Sequence, residues 1–306
     1  MSSEDMTRRE LFKRAVAAGL AAYGLGELGL GGLSQADAAP APTIAVATKG
    51  SPVDLVRRAV QGLGGMGKFV KRGNTVLVKP NIAWARKPEH AADTNPEVVA
   101  EVVRLCKAAG AREVKVIDHF IDGPDADVLR ISGIGAAAQA AGARVLAASS
   151  MAMYQRARLP RAKVLKSADV LRDLARADVF INVPIAKVHS TTGLTLGCKN
   201  LMGVVWDRGA WHASASLDQC IADFAAHYKP DLVVLDAYRI LLSNGPKGPG
   251  RVASPGVVVA GVDPLAVDAY GAKIMGRKPQ DIGHLRLAAA SGVGEISLDR
   301  IRVRNV

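Results

Sequence analysis

One stretch near the middle of the chain concentrates side chains that bind anions or transfer protons: Lys187, His189, Lys199 and Asn200. Two ammonium groups with imidazole and amide donors suit a phosphate or a carboxylate. A helix beginning near residues 191–195 would aim backbone N–H groups at the same anion. We predict that Lys199 and Asn200 bind the ligand and that Lys187 and His189 are catalytic, with His189 as the candidate acid or base. The alternative is a surface loop whose lysines face solvent.

Other polar residues follow the strands that the sequence predicts. They are Lys79, Asn81, Asp118, Asp236 and Asp263. In an open parallel sheet, ligands bind outside the carboxyl ends of the strands, so these side chains are predicted to converge on one crevice and bind the same ligand. Each residue also has a structural interpretation, because aspartates cap helices and asparagines support turns.

A metal site is the weaker alternative. His119 and His189, together with Asp118 and Asp263, offer imidazole and carboxylate ligands. The neighbouring lysines repel a cation, however, and no HxH or HExxH spacing occurs. We therefore predict no metal, and we keep His119 and His189 as the alternative ligands.

Several cofactor and nucleophile motifs are absent from the sequence. The three cysteines, Cys106, Cys198 and Cys220, are far apart and form no CxxC pair, which predicts no iron–sulfur cluster of the chain's own. No GxSxG elbow or GxxxxGK[ST] loop occurs, and no GxGxxG opens a helix after the first predicted strand. The identity of any cofactor stays unknown at this point.

The overall charge favours anionic partners. The 306 residues carry a formal net charge of +12, and aromatic residues make up 4% of the chain. No basic run is interleaved with aromatics, so the stacking platforms of single-stranded nucleic-acid binding are not evident. We expect an anionic small molecule or cofactor as the partner, and no nucleic acid.

Short β-branched runs alternate with longer helical segments from residue 43 onward. This pattern is typical of βαβ units and predicts an α/β fold with a mostly parallel sheet flanked by helices. The predicted strands are 44–47, 75–78, 114–117, 144–147, 179–183, 232–235 and 257–260. The predicted helices include 52–63, 134–141, 170–175 and 212–227, with two more that open at Pro96 and Pro264. Residues 149–166 are predicted as a small irregular β insertion.

The first 38 residues are predicted to be a twin-arginine signal segment. Arg8 and Arg9 precede an Ala/Gly/Leu stretch at 15–33, and a small-x-small site ends at Ala38. The alternative is an ordinary amphipathic helix. We expect export by the twin-arginine machinery to the periplasm or another extracytoplasmic space, with residues 39–306 as a single domain.

Four segments in order resemble one family. They read VLVKPN at 76–81, TNPEVV at 94–99, NVPIAKVH at 182–189 continuing to TLGCKNLMG at 195–203, and GVDPLAVD at 261–268. Together they are similar to the domain of unknown function 362 (DUF362) family over nearly all of residues 43–290. That family often carries a ferredoxin-like cysteine module, which this chain does not contain, and commonly has glycine where this chain has Ala237. The resemblance implies no established reaction.

Two classes of function follow from these observations. The first is an enzyme that acts on an anionic small molecule or cofactor. The second is a non-catalytic accessory protein that holds a cofactor, a metal or an exported partner, with a redox protein as a candidate partner.

Overall fold

Most of the strands named from the sequence lie in one sheet. The computed structural model describes residues 41–214 and 216–306, so the predicted signal segment lies outside the described residues. The strands are β1 Thr43–Thr48, β2 Thr75–Pro80, β3 Glu113–Asp118, β4 Arg144–Ala147, β5 Tyr154–Arg158, β6 Ser167–Leu171, β7 Val179–Val183, β8 Ile185–His189, β9 Gly193–Thr195, β10 Leu232–Leu241, β11 Val252–Ala253, β12 Val257–Gly261 and β13 Arg302–Asn305.

Helices connect these strands and cover the sheet. They are α1 Pro52–Gly62, α2 Pro96–Ala108, α3 Asp125–Ser132, α4 Ile134–Ala140, α5 Arg172–Arg176, α6 Gly197–Asn200, α7 Gly209–Ala213, α8 Leu217–His227, α9 Pro264–Ile274 and α10 Gly283–Ala290. In this part of the chain no helix is long and apolar enough to cross a membrane.

The main sheet of the described residues has eleven strands, and its central path runs β13-β1-β12-β10-β7-β2-β3-β4. From β10 to β4 all neighbours are parallel, whereas β12 is antiparallel to both β1 and β10. Strands β8 and β11 pair with β10, and β9 pairs with β8. The predicted α/β fold with a mostly parallel sheet is therefore confirmed.

Both faces of the central strands are covered, which explains their nearly continuous apolar sequence. Val76 and Val78 of β2 pack in the hydrophobic cluster that includes α1, α2 and α4. Leu77, which points to the other face, belongs to the cluster that includes α8, α9 and α10. The carboxyl ends of β2, β3 and β7 consequently meet at one edge between two helical layers.

The small β insertion is a separate two-stranded ribbon of β5 and β6. Strand β6 runs to Leu171 and α5 begins only at Arg172, so the helix predicted from residue 170 starts later than expected. The loop between the two strands is tied to α8, because the backbone N–H groups of Lys163, Val164 and Leu165 donate to the buried carboxylate of Asp223.

Two further predictions about the elements are wrong. The helix predicted to begin near residues 191–195 is replaced by strand β9, which pairs antiparallel with β8 across a tight turn, and α6 begins at Gly197. The helix predicted over 212–227 is two helices, α7 and α8.

Candidate functional site

A network of asparagine amides connects the strand ends to α6. The Oδ1 atom of Asn200 accepts hydrogen bonds from Lys79 Nζ at 3.1 Å and from Asn81 Nδ2 at 3.0 Å. Its Nδ2 group donates to Asn182 Oδ1 at 2.8 Å, and Asn182 in turn donates to the carbonyl oxygen of Gly197. Because Asn182 and Asn200 are buried and their amides are bonded, this network fixes α6 against β2 and β7.

Lys79 and Asp118 form a buried ion pair at the ends of β2 and β3. Their Nζ and Oδ1 atoms are 2.9 Å apart, and Lys79 also donates to the carbonyl oxygen of Pro80. Burial lowers the pKa of Lys79, and Asp118 opposes this shift. The backbone of Gly203 packs so closely on the pair that a Cβ atom there would overlap both side chains.

Lys187 projects from β8 and is also occupied by neighbours. Its Nζ donates to Asn81 Oδ1 at 3.0 Å and to the carbonyl oxygen of Ala92. Burial lowers its pKa to about 8, against the opposing charge of Asp93. Burial likewise raises the pKa of Asp93, whose Oδ1 accepts the N–H groups of Ala83 and Trp84.

The helix N-terminus that we expected to bind an anion already has a carboxylate. The N–H groups of Gly197 and Cys198 donate to Asp268 of α9 at 2.6 and 2.8 Å. Asp268 is fully buried. The first amides of α6 therefore hold the helix in place and do not point at an external ligand, which corrects that part of the sequence interpretation.

Lys199 stands next to this anchored turn and is the least satisfied of the three buried lysines. Only 7% of the residue is exposed, and its one hydrogen-bond partner among the described residues is Met202 Sδ at 3.4 Å. Burial lowers its pKa to about 8, with further lowering by Lys187 and Arg208. A buried cation without a carboxylate partner is costly unless something else neutralises it.

Two histidine rings lie beside Lys199. The rings of His189 and His212 stack with centroids 6.2 Å apart. His189 Nδ1 is 3.1 Å from the N–H of Thr191, so Nδ1 is the acceptor and the ring proton of the neutral form resides on Nε2. Burial and the positive charge of Lys199 lower the pKa of His189 to about 3. This imidazole is therefore neutral at physiological pH.

Arg208, in the loop before α7, completes the positive side of the site, and sequence reasoning missed it. Its guanidinium donates to the carbonyl oxygen of Phe120 at 3.3 Å, and no ion pair with a carboxylate forms within 4.0 Å in the described chain. Burial lowers its pKa. Arg208 follows no predicted strand or helix, and no local pattern distinguished it from the other arginines.

The three lysines, His189, His212 and Arg208 line one open cleft. Four basic side chains and a single carboxylate, that of Asp118, are among the lining residues. Seven of the nine residues predicted for catalysis or ligand binding line it: Lys79, Asn81, Asp118, Lys187, His189, Lys199 and Asn200. Trp84, Ile121, Thr195, Arg208 and His212 are lining residues that the prediction did not include.

Asp236 and Asp263, which we predicted to bind the ligand, do not line the cleft. Strand β10 continues past Asp236 because its second half pairs with β8, and the buried carboxylate accepts the N–H groups of Asn95 and Tyr238. Asp263 is the N-cap of α9 and accepts the N–H groups of Leu265 and Ala266. Both carboxylates therefore accept hydrogen bonds from backbone N–H groups and stabilise the local backbone conformation.

The two histidines of the metal alternative lie in different surroundings. His119 stacks on Trp206 with centroids 5.2 Å apart and does not line the cleft, whereas His189 does. Across residues 41–214 and 216–306, no group of three or more His, Cys, Asp or Glu side chains is arranged to hold a metal ion.

Comparison with known proteins identifies the family. The model of the domain of unknown function (DUF362) matches residues 76–273, a range that contains every lysine of the cleft. The chain belongs to the DUF362 family. It is 30% identical over 246 residues to a thylakoid-associated protein of Synechocystis sp., an alignment that covers 76% of this chain and 73% of the relative.

A solved structure shares the fold. The lactate racemase apoprotein from Thermoanaerobacterium thermosaccharolyticum superimposes with a TM-score of 0.50 and 11% sequence identity. The match covers 75% of this chain and spans 56% of that protein. At this identity the likeness concerns the α/β fold alone.

Proposed function

We propose that the cleft at the carboxyl edge of the sheet binds a small anionic molecule or cofactor through Lys199 and Arg208. The observation that carries this proposal is the Lys199 ammonium, which is almost completely buried yet, within the described residues, is hydrogen-bonded only to a thioether. Thioether sulfur is a weak acceptor, so an oxyanion of the ligand would supply the charge-assisted bond that the protein does not.

The other two lysines of the cleft are already paired or hydrogen-bonded within the protein, which supports the assignment of the ligand to Lys199 and Arg208. Lys79 is neutralised by Asp118, and Lys187 is bonded to Asn81 and Ala92. These two lysines line the cleft and add positive potential. Lys199 and Arg208 retain N–H groups that can donate hydrogen bonds to a ligand. The asparagine network holds α6 in place before any ligand arrives, which lowers the entropic cost of binding.

Calorimetric titration with inorganic sulfate tests the proposal. Wild-type protein should bind sulfate, and Lys199→Ala should weaken binding at least tenfold because one charge-assisted hydrogen bond is lost. Lys187→Ala should weaken it as well, with circular dichroism to confirm that the fold is retained. The matched control is Lys278→Ala, which removes an exposed lysine outside the cleft. Equal affinity of wild type and Lys199→Ala would refute the assignment.

A second candidate is a non-catalytic accessory protein at a membrane, for which the name of the thylakoid-associated relative is the support. The two candidates differ in what stays bound. If the protein is an enzyme, native mass spectrometry of the chain purified from the cytoplasm of its source cells should show a bound metabolite that the protein converts. A stable stoichiometric cofactor or a protein partner, such as a redox protein, favours the accessory role.

We further propose that residues 1–38 direct export by the twin-arginine pathway. Paired arginines, a weakly hydrophobic stretch and a small-residue site in this order support the proposal. Replacing Arg8 and Arg9 together by Lys should leave the chain in the cytoplasm, as judged by immunoblots of cell fractions. Replacing the exposed Arg277 and Arg286 by Lys is the control for the same substitution elsewhere in the chain.

A further inference from the structure

The three lysines of the cleft differ in whether their nitrogen is free to react. A lysine attacks a carbonyl carbon through the lone pair of its neutral amine, and desolvation or neighbouring cations favour that neutral form. Lys79 Nζ is held by the Asp118 carboxylate and two further oxygen acceptors. Lys187 Nζ is held by two oxygens. Lys199 Nζ forms no hydrogen bond to an oxygen of the described residues, and Lys199 lines the open cleft.

The surroundings of Lys199 contain the other groups that amine chemistry requires. Its pKa of about 8 leaves a reactive neutral fraction near physiological pH, and the cations of Lys187 and Arg208 contribute to that shift. His189 presents a neutral ring with its proton on Nε2, and His212 stacks on it. In this tautomer the ring can donate a hydrogen bond from Nε2 to the carbonyl oxygen during addition.

Arg208 provides a site for a carboxylate on the same molecule. It lines the cleft together with Lys199, and its guanidinium has only the Phe120 carbonyl oxygen as a hydrogen-bond partner in the described chain. Guanidinium groups bind carboxylates through paired hydrogen bonds. A ligand that is anionic at one end and a carbonyl compound at the other would satisfy both side chains.

We propose that Lys199 is a nucleophile that forms a Schiff base with a 2-oxo acid held by Arg208. The inference rests on the proposed anion site and names its substrate class. The Lys199 nitrogen forms a bond to the carbonyl carbon as the carbon–oxygen π bond breaks, and a carbinolamine results. The carbinolamine oxygen then leaves as water, carrying both protons of the amine, and a carbon–nitrogen double bond remains. No oxidant or reductant takes part, and water reverses the reaction.

Reductive trapping tests the assignment. The full-length protein is incubated at about pH 8 with pyruvate and sodium cyanoborohydride, and peptides are analysed by mass spectrometry. We expect one reduced pyruvate adduct per chain, located on Lys199. Arg208→Gln should slow trapping of pyruvate about tenfold more than trapping of acetone, which has no carboxylate; loss of the Arg208 charge also lowers the neutral fraction of Lys199 and so slows both reactions. Adducts confined to exposed lysines, or absent with both pyruvate and 2-oxoglutarate, would overturn the proposal.

Lys199→Arg separates this inference from the proposed anion site, because arginine keeps the positive charge and cannot form the imine. The variant should lose the adduct and still bind sulfate more tightly than Lys199→Ala, because the guanidinium keeps the positive charge. Lys278→Arg should keep the adduct. If wild type binds sulfate and Lys199 is never labelled, the Schiff base is wrong and the anion site stands. If wild type binds neither sulfate nor pyruvate, the proposed function itself fails. Thermal melts confirm that each variant is folded.

Discussion

Lys199 Nζ and Met202 Sδ lie 3.4 Å apart in the wall of the cleft. The contact is local, because Met202 belongs to the 3₁₀ turn that directly continues α6. Burial takes the ammonium out of water, and the thioether replaces little of the hydration that it loses. In the absence of a ligand, this lysine therefore lowers the stability of the fold.

Replacing Lys199 by methionine should stabilise the free protein. Methionine has similar length and no charge, and the pKa of Lys199 falls from 10.5 to about 8 on folding. We expect the free energy of unfolding in urea to rise by roughly 2 to 4 kcal/mol at neutral pH. The same variant should lose sulfate binding. A less stable Lys199→Met protein would contradict this account of the cleft.

The gain in stability from Lys199→Met should decrease at alkaline pH. Between about pH 8 and pH 10.5 the unfolded chain keeps the Lys199 proton that the folded chain has released, so wild-type stability rises with pH in this window. The advantage of the methionine variant therefore declines over the same range. Lys278→Met, at an exposed position, should differ from wild type by less than about 0.5 kcal/mol at each pH.

The Lys79–Asp118 pair should respond asymmetrically to substitution. Asp118 also accepts the N–H groups of Ile82 and His119, so Asp118→Ala removes three bonds and leaves a buried cation. We expect a loss of about 3 to 5 kcal/mol in urea unfolding. Lys79→Met should cost less, because the backbone N–H groups of Ile82 and His119 still donate hydrogen bonds to the carboxylate. Strictly additive effects in the double variant would show that the two charges do not interact.

Asp268 is predicted to position Lys199 from the second helical layer. Asp268→Ala leaves the N–H groups of Gly197 and Cys198 buried without acceptors, which should lower stability by roughly 2 to 4 kcal/mol. Because α6 also carries Lys199, sulfate affinity should fall even where the variant is fully folded. Asp263→Ala is the comparison, since it removes the N-cap of the same helix α9. That variant should be destabilised and keep its sulfate affinity.

Sequence alone was sufficient to place most of the cleft. The apolar runs ending at Lys79 and Asp118 mark strand ends, and parallel strands bring their ends to one edge. Lys187 and Lys199 lie close in sequence, and the resemblance to the DUF362 family already singled out their segment. The fold class followed from the alternation of β-branched and helical runs.

The errors share a physical cause, which is pairing between distant segments. Nothing near Asp236 shows that β8 will pair with the second half of β10 and prolong that strand. Strand β9 forms where we predicted the start of a helix, because it pairs with β8 in a register that places Thr195 opposite Lys187. Arg208 reaches the cleft only because its loop folds back against Phe120, far away in sequence.

Sulfate affinity should fall as the pH rises through about 8. Below that value Lys199 and Lys187 are protonated, and above it each loses the positive charge that attracts the anion. His189 does not contribute, since burial keeps its pKa near 3 and the ring is neutral throughout. We expect a loss of about tenfold in affinity per pH unit above 8, measured by calorimetry in a sulfate-free buffer. Lys199→Arg should make the decline shallower, because the guanidinium stays charged. An affinity that is constant up to pH 10 would show that neither lysine binds the anion.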